Sequence, residues 1–253
     1  MQTPSFRVDG RKALVTGGSR GIGLAAACAL AQAGAHVVLA ARTESDLAVA
    51  RRKVLASQPG AEVSLWNIDV TDSAAVRSTM PEHGPFHIVV NNAGTNRPAL
   101  LSELADGDLD AVFELNVKAA FYVAREATRM MLEHGIHGSI INVSSQMGHV
   151  GGPKRTVYCA SKHAIEGFTK ALALELGSSS IRVNTVCPTF IETEMTKAML
   201  EDPSFREYVK SNIVLGRIAR LEDIMGAVVF LASDASAMVT GSAIMIDGGW
   251  TAA

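Results

Sequence analysis

Short apolar runs alternate with helix-length segments from one end of the chain to the other. Lys12 to Thr16 reads as a buried strand, and Gly21 to Ala33 as the helix that follows it. His36 to Ala40 is the next strand. Thr43 to Ser57 is an amphipathic helix, stopped by Pro59-Gly60. Val63 to Trp66 and Phe86 to Val90 predict two more strands. Ala105 to Glu133 predicts one long helix, with a strand at Ser139 to Val143 behind it. Thr156 to Leu176 is helical, Ile181 to Val186 a strand, Leu221 to Ala232 a helix and Ala243 to Ile246 a last strand.

Strands that are apolar along their whole length need cover on both faces. Alternation of strand and helix over the full length then implies an α/β fold. The expected architecture is a single doubly wound parallel β-sheet with helices on both faces, of Rossmann type. No repeat, low-complexity tract or linker interrupts the pattern, so residues 1–253 are expected to form one domain. Thr189 to Arg220 is the least regular stretch, and it reads as a substrate lid over the carboxyl ends of the strands.

A chain of 253 residues can bury roughly 70–75% of its unfolded surface, so the core needs no covalent staple. Apolar residues make up 48% and the formal charge is −2 with no basic block, which argues against a nucleic-acid partner. Cys28, Cys159 and Cys187 are far apart and form no CxxC pair. Neither a structural disulfide nor a metal site is expected, which fits a reducing compartment. The N-terminal stretch lacks the apolar core of a signal peptide, and no apolar run is long enough to span a bilayer. A cytoplasmic protein with no membrane partner is the expectation.

Two segments carry chemistry. Gly17, Ser19, Arg20, Gly21, Ile22 and Gly23 lie where the first strand gives way to the first helix. Glycines there let the backbone approach a pyrophosphate, and the helix N-terminus offers free N–H groups. The second strand ends Ala40-Ala41-Arg42-Thr43, without the acid that would bind the ribose 2′-hydroxyl of NAD. Arg20 and Arg42 suit a 2′-phosphate instead, so NADP(H) is expected over NAD(H). Farther along, Tyr158 and Lys162 are four residues apart on one helix face, with Ser145 thirteen positions upstream. A phenol beside an ammonium is expected to ionise more easily and to exchange protons with an alcohol or ketone.

Taken together, these residues resemble the short-chain dehydrogenase/reductase family over essentially the full length. The motifs in order are Gly17/Gly21/Gly23, Asp69-Val70, Asn91-Asn92-Ala93-Gly94, Asn116, Ser145, Tyr158, Lys162, Pro188 through Thr193, and Asp247-Gly248-Gly249. The resemblance implies that Tyr158 is the general acid or base and that Lys162 lowers its pKa and binds the nicotinamide ribose. Ser145 would hold the substrate oxygen, and Asn116 would support a proton relay to Lys162. Asp69 and Val70 would line the adenine pocket, and Asn92, Ala93 and Gly94 would pack along the cofactor. Pro188 belongs to the same loop, and Ile191 and Thr193 would hold the carboxamide. Hydride transfer from the pro-S face and a homotetramer are likewise implied, with a dimer as the second choice. The one departure is Pro188-Thr189 where the family usually has Pro-Gly.

Substrate residues are less defined. Ser145, Gln146, His149, Arg155 and Met195 are the candidates, with Asn96, Lys154, Met199 and Leu200 nearby. Their polarity points to a small sugar, polyol or keto acid. A 3-oxoacyl thioester is the alternative substrate, and a non-catalytic NADP-binding sensor is the alternative of another class.

Overall fold

The computed structural model describes residues 1–252. Seven strands form one sheet: β1 Lys12–Thr16, β2 His36–Ala41, β3 Val63–Asn67, β4 Ile88–Asn91, β5 Ser139–Val143, β6 Arg182–Pro188 and β7 Ala243–Ile246. Their spatial order is β3-β2-β1-β4-β5-β6-β7, and every pairing is parallel. This is the predicted doubly wound sheet.

Alternation along each strand explains why both faces are covered. Ala13 and Val15 of β1 enter one apolar cluster, while Leu14 between them enters the other. The first cluster is closed by α1 Gly21–Gln32, α2 Glu44–Ser57 and α9 Glu222–Ala232. The second is closed by α3 Ser73–His83, α5 Ala119–Glu133 and α6 Thr156–Leu176. Helix α1 supplies a run of buried alanines, so it can lie close to the sheet and to α9.

Several expectations need correction. Helix α3 was not foreseen; it carries Pro81 and buries only Val76 and Met80, so its apolar period is faint. The strand expected from Phe86 begins at Ile88, where pairing with Ala13 starts. The strand expected to stop at Val186 continues to Pro188, because Cys187 and Pro188 pair with Met245 and Ile246. The long helix from Ala105 is interrupted: α4 Asp106–Phe113 leads into a π-helical turn at Glu114–Lys118 before α5. Thr189 to Arg220 is not irregular but holds α7 Glu194–Leu200 and α8 Pro203–Asn212. These two have a small core of their own, Leu200, Val209, Ile213 and Ile218 with Phe190, Phe205 and Trp250 packed against it.

Gly23 shows how closely α1 meets the strand ends. A β-carbon there would lie 2.3 Å from the Gly17 carbonyl oxygen and 2.5 Å from Asn92 Nδ2. Gly226 on exposed α9 surface has nothing within 4 Å. Gly23→Ala is therefore expected to cost ~2–3 kcal/mol, lowering Tm by roughly 5–10 °C. Gly226→Ala should raise stability by about 0.5–1 kcal/mol. Equal thermal shifts for the two variants would contradict this packing.

Candidate active site

Strand order reverses between β1 and β4. In an open parallel sheet that reversal leaves a crevice beyond the carboxyl ends of the strands. The two strand ends are tied together across it. Thr16 Oγ1 accepts from the Asn92 and Ala93 N–H groups at 3.0 and 3.1 Å. Asn92 Nδ2 donates back to the Thr16 and Gly17 carbonyls at 2.9 and 3.2 Å.

Gly17 and Gly21 take left-handed φ values of +61° and +54°. Between them lie Ser19 and Arg20, and Ile22 and Gly23 open α1. Arg20 caps α1 with no side-chain hydrogen bond, and the first turn carries no acid. The orphan N–H groups of that turn are thus unmatched by any local carboxylate, which suits an anion. Thr193 Cγ2 stands 3.9 Å from where a Gly21 β-carbon would be, so the segment after β6 reaches over the glycine loop.

The next strand ends bring further residues to the same edge. Arg42 is exposed, and its Nη1 lies 3.8 Å from Asp69 Oδ2. Asn67 Nδ2 donates to the Ala41 and Arg42 carbonyls, which fixes the backbone under that guanidinium. Thr43 caps α2 without a side-chain bond. Asp69 Oδ1 accepts from the Thr71 N–H and hydroxyl, and Val70 is buried behind it. Gly94 packs near Asn116, whose Oδ1 would be 3.2 Å from a β-carbon there.

Asn116 sits in the π-helical turn and is buried. Its Oδ1 accepts from the Thr95 N–H, and its Nδ2 donates to the Thr95 carbonyl and Ser161 Oγ. The side chain is fully engaged in holding the Thr95 loop, with no direct bond to Lys162 among the described residues.

Tyr158, Lys162 and Ser145 do converge. Lys162 Nζ donates to the Val143 carbonyl at 2.8 Å and lies 5.6 Å from the centre of the Tyr158 ring. Burial pulls the Lys162 pKa down to about 8, against opposing effects of Cys187 and Glu166. Burial pushes Tyr158 up to about 12, opposed by the Ser145 hydroxyl and the Arg155 charge. The expectation that Lys162 draws the phenol downward is not met in this arrangement: desolvation of the phenolate outweighs every nearby charge. Tyr158 is thus a proton-loaded acid at neutral pH. Ser145 Oγ accepts from the Met147 N–H and donates to the Pro188 carbonyl at 3.4 Å, a weak bond that leaves it free to turn.

Beside them lies a cavity of about 70 Å³. Ser145, Gln146, Arg155, Tyr158 and Met195 line it, as the sequence suggested. His149 does not. Its Nε2 faces Cys187 Sγ and Glu166 Oε1, each at 3.5 Å, in a hydrogen-bonded cluster behind Ser144. Burial raises the Cys187 thiol to about 12, so it stays a protonated donor to Glu166. Two lining residues were undervalued in the sequence. Thr189, the departure from Pro-Gly, avoids a left-handed conformation and places a hydroxyl at the cavity. Asn96 brings a buried Oδ1 with no partner. Pro188 ends β6, and Ile191 is buried where it bridges to Ala219.

Comparison with known proteins agrees with this geometry. The family model described as enoyl-(acyl carrier protein) reductase matches residues 17–251. The chain belongs to the short-chain dehydrogenase/reductase family. It is 37% identical over 247 residues to a D-erythrulose reductase of Gallus gallus, covering 98% of each. It is 40% identical over 248 residues to the 3-oxoacyl-[acyl-carrier-protein] reductase of Thermotoga maritima, covering 96% of this chain and 99% of that one. A crystal structure of a gluconate 5-dehydrogenase from Burkholderia cenocepacia, in complex with NADP and tartrate, superposes with a TM-score of 0.93 at 36% identity, covering 98% of both chains.

The Lys162 environment makes a stability prediction. The folded pKa lies below the ordinary 10.5, so the unfolded chain holds the proton more tightly. The buried ammonium therefore costs stability below pH 8, and the cost fades as pH rises from about 8 to 10.5. Lys162→Met should raise stability at pH 7 by ~1–2 kcal/mol after the lost bond to Val143, a Tm gain of roughly 2–8 °C. The gain should shrink by pH 10. A lower Tm at pH 7 would show that Lys162 contributes more through its hydrogen bond than its burial costs.

Proposed function

We propose that this protein is an NADP(H)-dependent oxidoreductase that interconverts a secondary alcohol and a ketone on a small polar substrate. The observation that carries the reading is the convergence of Ser145 and the proton-loaded Tyr158 on one cavity, beside the Gly17–Gly23 loop. The cofactor edge fits a dinucleotide: unmatched N–H groups of α1, glycines that a β-carbon would block, and Arg20 and Arg42 free of a strong carboxylate pair. NADP is bound in the gluconate 5-dehydrogenase structure, and the two exposed guanidiniums suit its 2′-phosphate. When bound, the dinucleotide supplies or accepts the hydride.

The chain's own residues manage the other half of the reaction. The Tyr158 hydroxyl donates its proton to the developing alkoxide in reduction and retrieves it in oxidation. Ser145 orients the same oxygen and shares its charge. Lys162 holds the ribose and restores the proton through a relay supported at Asn116. Asp69 and Val70 would flank the adenine, Asn92, Ala93 and Gly94 would pack along the cofactor, and Ile191 and Thr193 would hold the carboxamide in the loop that Pro188 opens. Helices α7 and α8 act as the lid, presenting Met195 to the substrate.

A 3-oxoacyl thioester is the second reading, favoured by the Thermotoga maritima relative. The cavity wall favours a polar substrate instead. Gln146, Arg155, Asn96 and Thr189 all bury polar atoms without partners, and an alkyl chain would leave each of them desolvated. For assembly we favour a homotetramer with two-fold symmetry, since Phe121 stacked on Phe168, Leu132 and Leu174 leave apolar surface on α5 and α6. Edge strand β7 is also only half-buried. No helix among the described residues is long and apolar enough to cross a membrane. A cytoplasmic location rests on the three unpaired cysteines, and recovery in a secreted or membrane fraction would count against it.

The test is NADPH oxidation, with NADH beside it, across keto-sugars, keto acids, simple ketones and 3-oxoacyl thioesters. Tyr158→Phe should lower turnover by about 100-fold or more, and Arg42→Ala should raise the KM for NADPH with little effect on NADH. Full activity in the Phe variant would refute the proton role. Tight NADPH binding without turnover on any carbonyl would favour a sensor. In light scattering, a monomer at micromolar concentration would exclude the tetramer.

A further inference from the structure

Arg155 is the one charged residue among those lining the cavity, and its charge is unbalanced. It is only 7% exposed, yet no Asp or Glu among the described residues lies within ion-pair distance of it. Nη2 donates to the Met199 sulfur at 2.9 Å, a soft and weak acceptor. Nη1 is buried with no partner at all. A guanidinium remains charged at any physiological pH, so burying it unpaired is costly unless something else supplies the anion. Desolvation is the main influence on this group, and the opposing contributions come from Tyr158 and Cys159 rather than from a carboxylate.

Its position says where that anion must be. Arg155 caps α6 three residues before Tyr158, which puts both side chains on one face at the mouth of the same cavity. Around them the wall is unsatisfied in a particular way. Gln146 is 1% exposed, and both its amide oxygen and nitrogen lack partners. Asn96 Oδ1 and Thr189 Oγ1 are buried and unpaired as well. A side-chain amide both donates and accepts, so these groups are matched by hydroxyls better than by a second charge.

We infer that the substrate is a short polyhydroxylated carboxylate, an aldonic acid and its keto form, whose carboxylate is held by Arg155. Its hydroxyls are received by Gln146, Asn96 and Thr189 while Ser145 and Tyr158 take the reacting oxygen. This deepens the reductase reading and rests on it for the reacting end. The relatives span neutral keto-sugars and sugar acids, and Arg155 chooses between them. A neutral ketose of equal length fills the same wall but leaves the guanidinium unpaired.

The test separates binding from turnover. Gluconate and neutral glucitol are titrated by calorimetry into the protein saturated with NADP⁺. NADPH-dependent reduction of 5-ketogluconate is compared with that of fructose. Wild type, Arg155→Met and Arg155→Lys are run in parallel, with Tm recorded to establish that each folds. Met keeps an apolar stem beside Met199 and removes the charge, and Lys keeps the charge. We expect gluconate to bind wild type and glucitol to bind far more weakly. The acid-over-neutral preference in kcat/KM should fall by about 100-fold in Arg155→Met, mainly through KM, and recover in part in Arg155→Lys. Failure of gluconate to bind wild type, or an acid-over-neutral preference that survives in a folded Arg155→Met, would overturn the assignment while leaving the reductase intact. Gluconate binding that depends on Arg155, without reduction of any carbonyl, would support the anion site and overturn the reductase reading instead.

Discussion

The paired hydrogen bonds between Thr16 and the Asn92-Ala93 segment are the constraint on which the rest depends. A doubly wound sheet must part its connections at one place, and here that place lies between β1 and β4. Parting exposes the carboxyl ends of two strands, whose backbone groups would otherwise go unpaired. The Thr16 hydroxyl accepts two N–H groups, and one asparagine amide takes two carbonyls, so the gap is closed without filling it. Because the tie passes directly under Gly17, the glycine loop is held against β4 and has no room for a β-carbon at Gly23. The cofactor edge and the catalytic edge thereby become one rigid surface.

Catalytic geometry is then built on burial. Tyr158 and Lys162 share a helix face, but their proton affinities are set mainly by removal from water rather than by each other. Desolvation keeps the phenol protonated and makes the ammonium unusually ready to lose its proton, so two groups of nearly equal ordinary acidity are driven apart, to about 12 and about 8. An ammonium more acidic than the phenol beside it passes its proton downhill to a phenolate. Cys187 and the buried Glu166 bonded to it and to Thr185 moderate the Lys162 shift, and neither lines the cavity.

Much of this was legible in the chain. Strands β1, β5 and β7 coincide with the runs that predict them, because the strands of a sheet covered on both faces are mostly apolar. Helix α6 likewise coincides, which is why the Tyr158-Lys162 spacing could be trusted. The misses have physical causes. Helix α3 buries two side chains and crosses Pro81, so its period is too weak to read. The π-helical turn around Asn116 inserts one residue into the ladder, which no hydrophobic period records. Helices α7 and α8 did leave local signals, the Thr193/Thr196 capping box and Asp202-Pro203 at the start of α8. Those signals were masked by the scattered apolar residues that form a separate small core. The tyrosine pKa could not be read at all, since sequence spacing reveals neighbours but not depth.

Three guanidiniums sit along this one edge, and their surroundings divide them by task. Arg20 and Arg42 are exposed, and Arg42 keeps a loose contact with Asp69 that a stronger anion can replace. Water already solvates such groups, so binding a phosphate there gains little per contact but costs little in desolvation. That suits a cofactor that must leave after each turnover. Arg155 is the reverse case: it is out of water, without a carboxylate, and its unmatched charge penalises every occupant that brings none. The discrimination it exerts comes from that penalty as much as from the bond it makes with the right partner. An exposed arginine in the same place would bind acids and tolerate neutral sugars; only a buried one can choose between them.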